Sequence, residues 1–228
     1  MKKAVFIERD GVLNQAFVNG RQQVGPASLA EFRLQEGVLP LLARLKEAGF
    51  LLLVTTNQPG IARGDLSRRE LDRMHDQLRR LIPVDDIFIC PHDDPDRCPC
   101  RKPRPGLFQE ARCKWQLNMN ASFVVSDKWQ DVEAARSAGC TSILIRSAWN
   151  GAAHPDLILQ DFGSVVEKIL SLQPPQAPSQ PPSAEALKIS SPAKTAPAVR
   201  SHPRPRQDAC RKGPAASGSR KYSSKAHT

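Results

Sequence analysis

Five short apolar runs, separated by stretches with helical spacing, constrain this chain more than any other feature. Residues 4–7, 50–55, 86–89, 122–125 and 141–145 are apolar nearly throughout. Runs of that kind suit the central strands of a parallel sheet covered on both faces. Between the first two, residues 38–48 carry Leu39, Leu42, Leu45 and Ala48 at helical intervals, and Gly49 supplies a stop. Ser67-Arg-Arg-Glu70 is a capping-box pattern that opens a helix to about Leu81. Pro105 begins another through Gln116, and 131–138, closed by Gly139, makes a fourth. The alternation predicts an α/β fold with a doubly wound, Rossmann-like parallel sheet.

In such a sheet ligands gather beyond the carboxyl ends of the strands, so the residues just past each run are the ones to inspect. The first run leads into Glu8-Arg-Asp-Gly-Val-Leu-Asn14, whose two carboxylates can converge on one centre if Gly11 turns the chain. The second leads into Thr55-Thr-Asn-Gln-Pro-Gly60, with hydroxyl and backbone N–H groups suited to a phosphate. Further on, Arg101-Lys-Pro-Arg-Pro-Gly106 sets Lys102 just before a helix, where a cation can neutralise phosphate charge. The fourth run ends in Ser126-Asp-Lys-Trp-Gln-Asp131. Acidic groups from two strand ends make a reasonable Mg²⁺ site, because that cation prefers oxygen ligands. Each cluster alone is ordinary loop chemistry. Four in order at successive strand ends are not.

Three of the six cysteines fall between positions 90 and 100. Cys90-Pro-His92 and Cys98-Pro-Cys100 together form a Cys₃His set for a tetrahedral structural zinc, with no coordination position left open for catalysis. Cys113 fits a helix face, Cys140 a helix-to-strand turn, and Cys210 lies in the C-terminal segment. His75 reads as a surface residue of its helix.

From residue 174 to 228 the composition changes: ten of the twenty prolines and almost no large apolar side chains. Such a segment cannot bury enough surface to offset its ordering entropy, so it reads as a disordered tail behind a folded domain at 1–173. Ten Lys/Arg against Glu185 and Asp208 give the tail +8 of the overall +10. The basic balance is therefore poor evidence that the domain binds nucleic acid; a weak contact through the tail is the most it supports. Lys2 and Lys3 precede only a short apolar run, and no stretch approaches the ~20 apolar residues of a membrane span. The expectation is a cytoplasmic monomer with no membrane partner.

The four clusters resemble the haloacid dehalogenase (HAD) superfamily, subfamily IIIA, and within it the branch of D,D-heptose 1,7-bisphosphate phosphatase and histidinol phosphatase. The resemblance spans 4–146, through Phe6-Ile-Glu-Arg-Asp-Gly-Val-Leu-Asn14, Thr56-Asn-Gln-Pro-Gly-Ile-Ala-Arg-Gly64, Cys100-Arg-Lys-Pro-Arg-Pro-Gly106 and Ser126-Asp-Lys-Trp-Gln-Asp131. It implies two-step phosphoryl transfer, in which a carboxylate at position 8 attacks phosphorus while Asp10 serves as acid and then base. Mg²⁺ would be held by Glu8, the Asp10 carbonyl and Asp127. Thr56 and Lys102 would hold phosphoryl oxygens, Asn57, Arg101 and Lys128 would contact the substrate, and Asp131 would support the metal shell from behind. Zinc at Cys90, His92, Cys98 and Cys100 belongs to the same resemblance.

The implied substrate is D-glycero-D-manno-heptose 1,7-bisphosphate, cleaved at its C7 phosphate, on a route to lipopolysaccharide core or related glycans. Histidinol phosphate is the alternative, and polynucleotide 3′-phosphatases share a similar first motif. Two positions depart from the pattern. Ser126 stands where many relatives have Gly, and Glu8 stands where the family has its Asp nucleophile. The extra methylene moves the carboxylate on the order of 1 Å, enough to cost ~10²-fold in rate. Three readings follow: Glu8 attacks slowly, it only ligates metal beside an attacking water, or the chain binds a phosphosugar without turnover.

Overall fold

Strand β1 (Ala4–Glu8) is buried along its whole length because helices cover both of its faces. Alternation sends Val5 and Ile7 into one apolar cluster, with Leu52, Val54 and Val125, and sends Ala4 and Phe6 into a second, with Leu53, Phe88 and Val124. The computed structural model describes residues 1–20 and 22–173. The segment read as a disordered tail, 174–228, and Cys210 within it lie outside the described residues.

Beyond β1, the chain forms the hairpin β2 (Phe17–Asn19) and β3 (Gln22–Val24), then helix α1 (Val38–Glu47) and strand β4 (Leu51–Asn57). The short helix α2 (Gly60–Arg63), helix α3 (Arg68–Leu81) and strand β5 (Asp86–Cys90) follow. The second half runs α4 (Gly106–Trp115), β6 (Phe123–Ser126), α5 (Trp129–Ala138), β7 (Thr141–Ile145), β8 (Leu157–Leu159) and α6 (Phe162–Ser171). The main sheet has the order β5-β4-β1-β6-β7-β8 and every pairing is parallel. The chain winds outward from β1 to β5, returns to the other side of β1, and winds outward again. The switch point thus falls at the carboxyl end of β1, where a ligand crevice is expected.

The helices divide between the two faces. Leu42 and Leu45 of α1, Leu71, Met74 and Leu78 of α3, and Val165, Val166 and Ile169 of α6 join the Val5 side. Leu107, Phe108 and Ala111 of α4, with Ala134 and Ala135 of α5, join the Phe6 side, where the Phe6 and Phe108 rings meet edge to face.

All five expected strands form, and the doubly wound sheet with them. Strand β4 runs two residues further than its apolar pattern, because Thr56 and Asn57 continue the ladder opposite Ile89 and Cys90. They are therefore strand residues rather than loop residues, which fixes their direction. The helix at 68–81 opens as its cap predicts, with Ser67 Oγ accepting from the Glu70 N–H at 3.2 Å. The reciprocal half of the box is absent: Glu70 instead accepts from the N–H of Leu29 at 3.0 Å and from Arg73. Helix α5 begins two residues earlier than expected, at Trp129. Cys113 and Cys140 lie where expected, on α4 and between α5 and β7. None of the described helices is long and apolar enough to cross a membrane.

Candidate active site

The carboxyl ends of β1, β4, β5 and β6 bring the four polar clusters to one edge of the sheet, around a cavity of about 800 Å³. Glu8, Asp10, Gln23, Lys102, Lys128 and Trp129 are among the residues that line it. That volume suits a small phosphorylated molecule.

Glu8 is the last residue of β1 and is buried. One of its oxygens, Oε1, accepts from the backbone N–H of Arg9 at 3.0 Å and of Asp10 at 3.3 Å. The other, Oε2, accepts from Lys102 Nζ. Lys102 also donates to Asp131 Oδ1 at 2.6 Å and to the Thr55 carbonyl at 3.0 Å. The ammonium is thus locked between two carboxylates and a strand end. Burial works to raise the Glu8 carboxyl pKa, but the Lys102 and Lys128 charges outweigh it and leave the group below its usual value. Asp131 goes the other way, to about 6, because burial dominates and its Oδ2 has no hydrogen-bond partner among the described residues. Asp131 was expected to stand behind the metal ligands. Its hydrogen bond goes to Lys102 instead, so its support reaches the cation.

Gly11, at φ +101°, turns the chain after Asp10 in a conformation that side chains rarely adopt. Asp10 is held from three sides. Arg9 donates twice, at 2.9 and 3.0 Å, Asn14 Nδ2 donates at 3.0 Å, and Gln58 Nε2 donates at 2.8 Å. Burial again opposes ionisation, yet the Arg9 charge and hydrogen bonds, with Lys128 and Asn14, bring the carboxyl to about 2. Gln58 Nε2 also donates to Thr56 Oγ1 at 2.8 Å, linking the first two clusters. Asn57 spends its amide on the Lys102 backbone, donating to its carbonyl at 3.0 Å and accepting from its N–H at 3.1 Å. It thereby ties β4 to the segment that carries Lys102.

Asp127 follows β6. Its Oδ1 lies 3.1 Å from Lys128 Nζ, which also donates to the Asp10 carbonyl. A cation therefore already bridges the Asp10 carbonyl and the Asp127 carboxylate, two of the three donors that the family resemblance implies for Mg²⁺. The all-oxygen set of Glu8, Asp10 carbonyl and Asp127 suits that metal. Asp127 Oδ2 accepts from Gln23 Nε2 at 2.8 Å.

Cys90 ends β5, so the cysteine loop starts at the same edge. The ligand atoms of Cys90, His92, Cys98 and Cys100 all lie within 4.8 Å of one another. Cys90 Sγ stands 3.6 Å from Cys98 Sγ, Cys98 Sγ 3.4 Å from Cys100 Sγ, and His92 Nδ1 3.3 Å from Cys100 Sγ. Thiolates ~2.3 Å from a tetrahedral ion sit about 3.8 Å apart, so the group could close on one metal with small movements. Arg101 is held inside this loop by Asp94 at 2.6 Å, Asp93 at 3.5 Å and the His92 carbonyl at 3.3 Å, and it lines the cavity.

Four participants were not anticipated. Arg9 and Gln58 occur within the motifs but are silent there about which atoms they grip. Gln23 belongs to the hairpin β2–β3, whose two strands of three residues each are too short to carry a strand signal. His75, expected on the surface, is buried and takes a hydrogen bond from Arg9 Nη1 at 2.9 Å. The helical spacing of Leu71, Met74 and Leu78 places His75 on the inward face of α3, and that spacing was the available signal.

A HAD-hydrolase-like family model matches residues 99–164. The chain is similar to D-glycero-beta-D-manno-heptose-1,7-bisphosphate 7-phosphatase of Bordetella bronchiseptica, 32% identical over 74% of this chain and 98% of that protein. The enzyme of the same name from Vibrio cholerae is 35% identical over 75% of this chain and 98% of its own length. Among solved structures, D,D-heptose 1,7-bisphosphate phosphatase from B. bronchiseptica, complexed with magnesium and phosphate, superposes with a TM-score of 0.64 at 29% identity, covering 74% of this chain and 98% of that one. A putative HAD-like phosphatase from Mesorhizobium loti gives 0.60 at 28%, over 77% and 90% of the two chains. With its strand-end carboxylates, buried lysine and cysteine loop on a doubly wound sheet, the chain belongs to the HAD-type phosphatases, in the family of the heptose-1,7-bisphosphate 7-phosphatases.

Proposed function

We propose that this chain hydrolyses the C7 phosphate of D-glycero-β-D-manno-heptose 1,7-bisphosphate with Mg²⁺ bound by Glu8, the Asp10 carbonyl and Asp127. The observation that carries the reading is the convergence of Glu8, Asp10 and Lys102 on one cavity, with Asp127 joined to Asp10 through Lys128. Its context is a chain that aligns with 98% of the length of a named 7-phosphatase. Bound there, Mg²⁺ supplies positive charge against the phosphoryl oxygens.

The chain's own residues do the rest. A Glu8 oxygen attacks phosphorus, forming an acyl-phosphate as the bond to the sugar oxygen breaks, and Asp10 delivers the proton to that oxygen. Asp10 then takes a proton from water, which attacks the acyl-phosphate, releases phosphate and restores Glu8. Arg9 keeps Asp10 ionised in the free site, so the proton that Asp10 delivers arrives with the substrate's monoanionic phosphate, whose negative charge favours the protonated carboxyl. Lys102 and Thr56 hold phosphoryl oxygens, while Asn57, Arg101 and Lys128 serve the substrate side. Zinc held by Cys90, His92, Cys98 and Cys100 pins a loop with little core of its own and fixes Arg101 and Lys102 at the cavity. The catalytic unit is residues 1–173, acting as a monomer in the cytoplasm, with 174–228 outside the reaction.

The test is phosphate release from this bisphosphate with Mg²⁺, comparing the native chain with Glu8→Asp. Turnover by both, with the variant ~10²-fold faster, is expected. Turnover by the variant alone would make the native chain a phosphosugar-binding protein. Release by neither, with histidinol phosphate cleaved instead, would move the substrate to that side of the branch.

A further inference from the structure

Two successive backbone N–H groups, those of Arg9 and Asp10, point at one oxygen, and that oxygen belongs to the side chain of Glu8 itself. Consecutive amides converging in this way form a nest, a concavity with fixed positive potential that binds anions. The opposite oxygen of the same carboxylate meets Lys102 Nζ, which is buried. One carboxylate thus receives two backbone donors and an ammonium, the contacts that a phosphoryl group would require at the same strand end. Glu8 reaches the nest by curling back on its own peptide, and Glu8, Asp10 and Lys102 are all buried at the floor of the cavity.

We propose that Glu8 is an internal anion that occupies the amide nest of Arg9 and Asp10, so that phosphate binds only by displacing it. The proposal rests on the reading of the cavity as a phosphate pocket. The free chain is therefore a self-occupied form, and Glu8 must rotate away from the two amides before it can attack. Affinity for phosphate is lowered by the work of that displacement, independently of any effect on the chemical step.

The test uses inorganic phosphate as probe, on the full chain with zinc in place and Mg²⁺ saturating. Glu8→Ala and Glu8→Gln both remove the charge, but only alanine empties the nest, because the glutamine Oε1 can still accept from the two amides. Phosphate should bind Glu8→Ala at least ~10-fold more tightly than Glu8→Gln by calorimetry. The ¹H–¹⁵N resonances of Arg9 and Asp10 should move on phosphate addition in the alanine variant and much less in the glutamine one. Equal affinities with equal shifts would overturn the proposal while leaving the phosphate pocket standing, since loss of charge alone would then explain any gain over the native chain. No binding by either variant or by the native chain would overturn the pocket reading, and the proposal with it. Should the alanine chain be unstable, Glu8→Val makes the same comparison, because its side chain has no acceptor to offer the two amides.

Discussion

Arg9 and His75 meet in the interior: the guanidinium Nη1 donates to the imidazole Nε2 at 2.9 Å, and both side chains are buried. Because Arg9 also grips Asp10 with two hydrogen bonds, the imidazole stands behind the carboxylate that carries the acid–base role. An arginine with no exposed surface needs acceptors for its donors, and His75 can accept only while neutral.

Burial, reinforced by the Arg9 charge, pushes His75 down to about 3 from 6.5. Between those values the unfolded chain binds a proton that the folded chain refuses. The stability from this group is thus complete above pH 6.5 and lost as pH falls toward 3, by up to about 1.4 kcal/mol per pH unit. Asp10, lowered to about 2 from 3.8, adds a similar loss only below pH 3.8. Asp131, raised to about 6, acts in the opposite sense between pH 6 and 3.8, so in a urea-denaturation series the stability lost on acidification should be smaller in His75→Gln than in the native chain, by up to about 1.4 kcal/mol per pH unit. His75→Leu, which leaves an Arg9 donor unpaired, should cost about 2–3 kcal/mol at pH 7.

Lys102 holds Glu8 and Asp131 apart as charges. Lys102→Met leaves two buried carboxylates facing each other and should destabilise by about 3–5 kcal/mol. Adding Asp131→Asn should recover part of the loss. A double-mutant cycle in which the two changes simply add would show that the ammonium does not couple them.

Gly25, just past β3, lies where a Cβ would stand 2.5 Å from Asp10 Oδ2. Gly25→Ala must push the hairpin or the carboxylate aside, and a shift of about 1 Å at an acid–base group costs ~10²-fold in kcat/KM. The melting temperature should move little, because β2 is exposed along its length. A large fall in melting temperature with kinetics unchanged would reverse this assignment.

Removing one thiol by Cys98→Ser should take bound zinc, counted by plasma emission after gel filtration, from one per chain to almost none. The melting temperature should drop by at least ~5 °C, because a loop with little core of its own would lose the crosslink that a bound metal supplies. Phosphatase activity should fall with it, because Arg101 and Lys102 follow Cys100 directly.

Much of this protein was legible before any coordinates. Five strands appear as apolar runs because a sheet covered on both faces demands apolar residues at every position, whatever their neighbours. The carboxylates, Lys102 and the Cys₃His set are legible for a related reason: strand ends and close Cys/His spacing bring groups together through local geometry alone. Helix α6 was not anticipated, although its signals are local: Asp161 caps it by accepting from the Ser164 N–H at 2.7 Å, and Phe162, Val165, Val166 and Ile169 keep helical spacing.

Pairings between distant parts of the chain were decided by the fold. The strand order, the three-residue strand β8 and the hairpin β2–β3 depend on contacts that no local pattern encodes. So do the directions in which polar side chains point. Gln58 reaching both Asp10 and Thr56, Asp131 closing on Lys102, and His75 turning inward to Arg9 each follow from burial, which obliges a polar group to find a partner and leaves the choice to its neighbours in space. The same holds for Glu8. Its identity is written in the chain, but its seat on the amides of Arg9 and Asp10 exists only once β1 ends against β4 and Lys102 arrives from beyond the cysteine loop.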